Sequence, residues 1–390
     1  MAGRNIVVCL DGTANQFGVD NSNVVKLYSV LKKDPARQLT YYDPGVGTLG
    51  DRRLITPLSK KISKLFGYAF GYGVADNISE AYSYLMETYQ EGDKVFLFGF
   101  SRGALTVRAL AGMLHACGLL APGNENMVPY AYQEYLSSGP DQGKMAARFK
   151  ATYSREHKPC FLGVWDTVTS VGWSFRRRTF PFTTNNPDPK IVRHAVAIDE
   201  RRAYYPQNLF GETFVPAQDV KQVWFAGVHS DVGGSYPEAE SGLSKITLEW
   251  MLAEAAGQGL LLDAEKCRRV VQGGGTEEDG GPFASPDCAA RLHPSLHGGW
   301  WALEYLPMNR TIDRRRFSLH RGRRRRMKDG CFVHRSVLDR IASPKLTEKY
   351  QPPNLPRSYG IEEYKTLDCD AIQPDGDATQ AVRRAFSAAA

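Results

Sequence analysis

The stretch VFLFGFSRGA, residues 95–104, places a serine between two glycines directly after a run of Val, Phe and Leu. The apolar run reads as a short strand buried on both faces, and Ala104 to Cys117 read as a helix. Gly99-Phe100-Ser101-Arg102-Gly103 therefore falls on a strand-to-helix turn. In the pattern G-x-S-x-G the serine sits on a strained elbow that lifts its hydroxyl to the top of a sheet. Small residues two before and two after are needed because strand and helix approach closely there. The backbone N–H of the next residue, Arg102, points to where an oxyanion would form. A tight glycine turn with a surface serine is the plain alternative.

Working outward, strands alternate with helices. Residues 5–10, 38–43, 160–165, 221–228 and 331–334 read as strands. Residues 23–33, 76–90, 191–203 and 243–256, and a segment starting near Ser336, read as helices. This alternation predicts an α/β fold with a mostly parallel central sheet and helices on both faces. One α/β-hydrolase domain is expected over residues 1–350, with lid or cap insertions near 44–73, 172–190 and 272–300. Residues 351–390 read as a proline-rich C-terminal extension. Ligands of such sheets bind at the carboxyl ends of the strands. Four strands end on chemically able residues: Asp11, Ser101, Asp166 and Asp231.

A serine needs a base, and the base needs an orienting carboxylate. Ser101, Asp231 and His334 follow the Ser, Asp, His chain order of α/β hydrolases. Asp166 competes as the acid, and as a strand-closing cap it has a structural role to play instead. His229, His320 and His297 compete as the base. If His229 and Asp231 shared a strand, their spacing of two would turn both to one side. His229, Asp166 and Asp11 are thus expected to line the site. The loop LDGTANQ, residues 10–16, is the candidate second oxyanion donor, through Gly12 and Thr13. Its D-G-T also resembles the opening of haloacid-dehalogenase-like phosphatases, but Cys9 stands where their nucleophilic Asp would be.

Composition sets the bounds. The 390 residues are 42% hydrophobic and 23% charged, which argues for a folded globular chain rather than a disordered one. No apolar run has the length of a membrane span, and the N-terminus does not read as a signal peptide. A cytoplasmic protein is expected, with export by a signal-less secretion system as the other route. Seven cysteines without a C-x-x-C pair read as reduced thiols and give no zinc motif. No metal or organic cofactor is called for. The net charge of +7 is partly concentrated in RRRFSLHRGRRRRMK, residues 314–328. Arg314–Arg316 and Arg323–Arg326 are candidates for attracting an anionic membrane surface; no nucleic-acid module is recognisable.

Eight segments in order resemble one family: CLDGTANQ, NSNVVKLY, YYDPGVGT, GVADNISEAYSYL, VFLFGFSRGA, GVWDTV, VWFAGVHSDVGGSY and VHRSVLDR. It is the uncharacterised α/β-hydrolase family known as domain of unknown function 2235, related to the type VI secretion phospholipase effectors. The resemblance implies a serine esterase or lipase acting on an acyl ester such as a glycerophospholipid, with Ser101 as nucleophile, Asp231 as acid and His334 as base. A catalytically silent fold serving as a binding module is the alternative.

Overall fold

The computed structural model describes residues 3–12, 18, 20–45, 73–138, 143–168, 179–211, 215–275, 282–305, 308–309 and 317–369. The expected insertion at 44–73 and the first half of that at 172–190 lie almost wholly outside these residues. So do Thr13 and Arg314–Arg316.

The core is an eight-stranded sheet. Its strands are β1 (Asn5–Leu10), β2 (Gln38–Asp43), β3 (Lys94–Phe100), β4 (Phe161–Trp165), β5 (Ile191–Ala197), β6 (Asp219–Phe225), β7 (Cys331–His334) and β8 (Tyr359–Glu362). Their spatial order is β2-β1-β3-β4-β5-β6-β7-β8. Every neighbouring pair is parallel. The order reverses once, between β1 and β3, so the crevice of this α/β sheet opens above their carboxyl ends.

Alternation along the strands sorts side chains to two faces. Ile6, Val8, Leu10, Val95 and Leu97 enter one apolar cluster with α2 (Val74–Thr88) and α3 (Arg102–Cys117). Val7, Cys9, Phe96, Phe98 and Phe100 enter the other with α1 (Asn23–Val30) and α5 (Gly242–Ala256). Between β6 and α5 lies the short helix α4 (His229–Gly233), and α6 (Arg335–Ala342) follows β7. Among the described residues no helix is long and apolar enough to cross a membrane.

Two segments differ from the sequence reading. Residues 191–197, expected to be helical, form β5, fully buried in mid-sheet. Arg193 and His194 hide its strand character, because both are polar yet satisfied inside. Arg193 Nε donates to Glu254 Oε2 at 2.6 Å, and the His194 imidazole accepts from Thr167 N at 3.2 Å. A domain boundary at 350/351 is also not what the chain does: Tyr359–Glu362 adds the edge strand β8 beside β7. Lys221 Nζ ties it further, 2.9 Å from Glu362 Oε1.

Candidate active site

Ser101 stands between β3 and α3 with φ 59° and ψ −117°. This is left-handed backbone that a non-glycine residue adopts only under constraint. A Cβ on Gly103 would lie 2.2 Å from the carbonyl oxygen of Leu10, and one on Gly99 2.6 Å from that of Gly103. Gly103 must be glycine for the elbow to nest against the end of β1, and Gly99 for α3 to start tight against β3. Ser101 N–H donates to Trp165 O across the gap to β4 at 3.1 Å.

β4, hydrogen-bonded beside β3, leads directly into Asp166. Asp166 also has positive φ, 39°, a conformation Asp tolerates better than most. After β6 the chain turns at Gly227, whose φ of 114° favours glycine, and enters α4 with His229 first. The turn brings the imidazole back over β3 and β4. His229 Nε2 lies 2.8 Å from Ser101 Oγ, and Nδ1 lies 2.5 Å from Asp166 Oδ2. All three residues are buried; Ser101 keeps 8% exposure. Phe100 lies against one side of the imidazole, with ring centroids 4.6 Å apart, and Tyr205 meets it edge-on at 4.7 Å. Arg202 sits 3.8 Å over the Tyr205 ring and donates from Nε and Nη2 to Glu200, which in turn accepts from His229 N.

Asp166 carries further donors. Ala197 N donates to Oδ1 at 3.0 Å. Arg325 grips both oxygens, Nη1 to Oδ1 at 2.5 Å and Nη2 to Oδ2 at 3.0 Å. Burial alone would push the Asp166 carboxyl up, but Arg325 and His229 overcome it and hold it well below the usual carboxylate range. Burial pushes His229 below its ordinary value, while Asp166 pulls the other way. The pair is therefore a carboxylate and a neutral imidazole near pH 7. With Nδ1–H donated to Asp166, Nε2 is free to accept the Ser101 proton. That is the arrangement that activates a hydroxyl for attack on a carbonyl.

Asp231 and His334, expected as acid and base, are engaged elsewhere. The reason for Asp231 is that α4 starts at His229. Residues two apart on a helix point away from each other, unlike those on a strand. Asp231 turns back on its own helix terminus, where Oδ2 accepts from Val228 N at 3.0 Å. Its Oδ1 pairs with His293 Nδ1 at 2.6 Å, and His293 Nε2 meets Glu240 at 2.7 Å. Burial lowers the His293 pKa, but these two carboxylates outweigh it and raise it above its ordinary value. His334 ends β7, four strands from β3, or about 19 Å at the usual strand spacing. It caps α6, Nδ1 accepting from Ser336 N–H at 3.3 Å, and stacks on Phe225 at 4.6 Å. Burial pushes it down to about 3.

The remaining expectations divide. Asp11 is buried and pins the loop after β1, accepting from Ser22 Oγ at 2.6 Å and Tyr42 Oη at 3.1 Å. Gly12 N–H donates to Asp11 Oδ1 at 2.6 Å, so that expected oxyanion donor is already engaged. Arg102 N–H opens the 16-residue helix α3 beside Ser101. His320 is bound to Glu304 at 2.6 Å, and His297 is exposed. Of Arg323–Arg326, three are exposed, Arg324 while reaching Asp199 Oδ1 at 3.4 Å, and Arg325 is buried against Asp166. Sequence reading missed that role, since nothing in a run of four arginines marks one as buried. Among the described residues no group of three or more His, Cys, Asp or Glu is arranged to hold a metal ion.

The model of the Tle1-like phospholipase effector catalytic domain of type VI secretion matches residues 4–254. That span holds Ser101, Asp166 and His229; Arg325 and His334 lie beyond it. An uncharacterized protein of Saccharomyces cerevisiae is 38% identical over 227 residues, covering 54% of this chain and 33% of its own length. The chain thus spans about a third of that relative. A crystal structure of an uncharacterized protein from Pseudomonas aeruginosa aligns at TM-score 0.38 and 21% identity, over 67% of this chain and 47% of that one. The Tle1 effector bound to the VgrG spike aligns at TM-score 0.38 and 16% identity, over 70% and 63%.

Proposed function

The chain belongs to the Tle1-like phospholipase effector catalytic-domain family of type VI secretion, and from that premise we propose that it is a serine hydrolase of lipid carboxylic esters. The observation that carries this reading is the line of contacts from Ser101 Oγ through His229 to Asp166. Ser101 Oγ attacks the ester carbonyl carbon while its proton passes to His229 Nε2. Arg102 N–H and the partial positive charge at the start of α3 meet the negative charge that develops on the carbonyl oxygen. His229 then returns the proton to the departing alcohol, leaving an acyl group on Ser101. A water gives a proton to His229 and attacks that acyl group, and His229 returns the proton to Ser101 Oγ as the carboxylic acid departs. Asp166 holds the imidazole in the tautomer this needs.

The test is covalent labelling with a fluorophosphonate, followed by turnover of soluble esters and phospholipid vesicles. Wild type is expected to carry one label, on Ser101, and to hydrolyse at least one ester of the panel. A wild-type protein that takes no label and turns over none is a binding module.

An anionic lipid surface is the proposed setting for that substrate. Arg323, Arg324 and Arg326 are exposed on the segment whose Arg325 enters the site. Surface cations attract anionic headgroups, and salt screens the attraction. Arg323→Gln together with Arg326→Gln is expected to weaken binding to anionic vesicles at low salt and to leave hydrolysis of a small soluble ester unchanged. Equal sedimentation of variant and wild type with those vesicles would assign the arginines to a solvated face.

A further inference from the structure

Asp166 is held from three directions at the floor of the site. It is 1% exposed and accepts from Ala197 N, from both terminal nitrogens of Arg325 and from His229. Oδ2 is shared: Arg325 Nη2 approaches at 3.0 Å and His229 Nδ1 at 2.5 Å. Arg325 is itself fixed by two carbonyls, Ala197 O at 3.1 Å and Tyr205 O at 2.9 Å. Ala197 ends β5, and Tyr205 covers the imidazole. The guanidinium thus joins the acid, the strand next to it and the residue over the base. A planar fork on a carboxylate fixes the plane of that carboxylate, which a point charge does not.

We propose that Arg325 is a positioning residue of this site: its fork sets the orientation of Asp166, and its charge keeps the buried Asp166–His229 pair free of an extra proton in mildly acidic medium. The inference rests on the serine-hydrolase reading for its effect on turnover, but the effect on protonation stands on the geometry. A buried carboxylate without a cation would take up a proton, and an acid so neutralised could not orient the base. Among the described residues, the charged and titratable groups facing the pair are few. They are Arg325 and His194 around Asp166, and Glu200, Arg202, Tyr205 and Ser101 around His229. Glu200 is occupied by Arg202 at 2.8 Å, which leaves Arg325, among the described residues, as the cation in direct contact with the acid. Because the two groups are coupled, the proton belongs to the pair. Removing the positive charge makes its uptake easier whichever member receives it.

Three full-length proteins test this: wild type, Arg325→Met and Arg325→Lys. The readouts are kcat/KM against pH for a soluble ester and, in a Ser101→Ala background, the NMR titration of the His229 ring nitrogens. The wild-type acid limb is expected below pH 6.5, since His229 is lowered and the base works when neutral. In Arg325→Met the limb and the titration are expected to move up by about one to three pH units, the usual effect of one adjacent opposite charge. Arg325→Lys keeps the charge and loses the fork. Its limb is expected near that of wild type, while kcat falls about ten- to a hundredfold at unchanged KM, the cost of an ångström's misplacement. A Met variant that titrates like wild type, or a Lys variant with wild-type kcat, overturns the proposal. If Arg325→Met does not fold, the Lys variant decides alone. If wild type takes no fluorophosphonate, the hydrolase reading fails, and the NMR titration still judges the charge of Arg325.

Discussion

His229→Ala is expected to lower kcat about a millionfold, the scale on which removing the base of a serine triad acts. His334→Ala is expected to leave kcat within a few-fold of wild type. The contrast follows from position. His229 Nε2 is in hydrogen-bond contact with Ser101 Oγ, whereas His334 is four strands away, capping α6 and stacked on Phe225. Loss of the imidazole leaves Ser101 as a neutral hydroxyl with no acceptor for its proton, so attack on an ester carbonyl stalls. His334→Ala instead removes a helix cap and a buried ring. Losing a cap costs about 1 kcal/mol, and losing a large buried side chain adds to that. Its signature is therefore an earlier urea midpoint with intact turnover. The reverse pattern, a dead His334 variant beside an active His229 variant, would return the base to the end of β7.

The elbow was legible because steric necessity writes itself into residue type: Gly99 and Gly103 have no room for a Cβ. The strands β1, β3 and β4 were legible because burial on both faces leaves near-continuous apolar runs. β5 was not, since Arg193 and His194 break the run and find their partners in Glu254 and the Thr167 N–H, distant in sequence. The residues in mutual contact, Ser101, Asp166 and His229, also follow one another in the Ser, Asp, His chain order. What misled was the partner assumed for His229: with Asp231 as the acid, a base two residues away breaks the usual connectivity, whereas the carboxylate that His229 meets is Asp166, and the helix starting at His229 sends Asp231 away from it. One residue of the arginine run is the acid's partner, and no one-dimensional pattern separates it from its exposed neighbours, because its role comes from how residues 317–327 fold back over β4 and β5.

Asp166→Asn carries the second large effect, a loss of about ten-thousandfold in kcat. An asparagine can present its NH2 to His229 Nδ1, which must then accept rather than donate. The ring proton moves to Nε2 and faces Ser101, where a base is needed. The same change removes the counter-charge of Arg325, which is buried with both terminal nitrogens on Asp166. Leaving one member of a buried pair alone typically costs about 3–5 kcal/mol, so the loss of rate must be read on protein shown by circular dichroism to be folded. Asp231→Asn is the control that separates chemistry from architecture. It breaks the contact with His293 and is expected to keep kcat within about tenfold of wild type, since it touches no group that handles the Ser101 proton. Its effect lies in the pH dependence of stability. The His293 pKa is raised in the folded protein, so its contribution is full below the unfolded value near 6.5 and is lost as pH rises through the higher folded value. With the Asp231 charge gone, the folded pKa falls toward the unfolded one, and the alkaline loss of stability shrinks. Urea midpoints of wild type and Asp231→Asn measured from pH 5 to 9 should therefore converge as pH rises. Should Asp231→Asn abolish turnover while Asp166→Asn spares it, the acid belongs to α4, and the contact between His229 and Asp166 is structural.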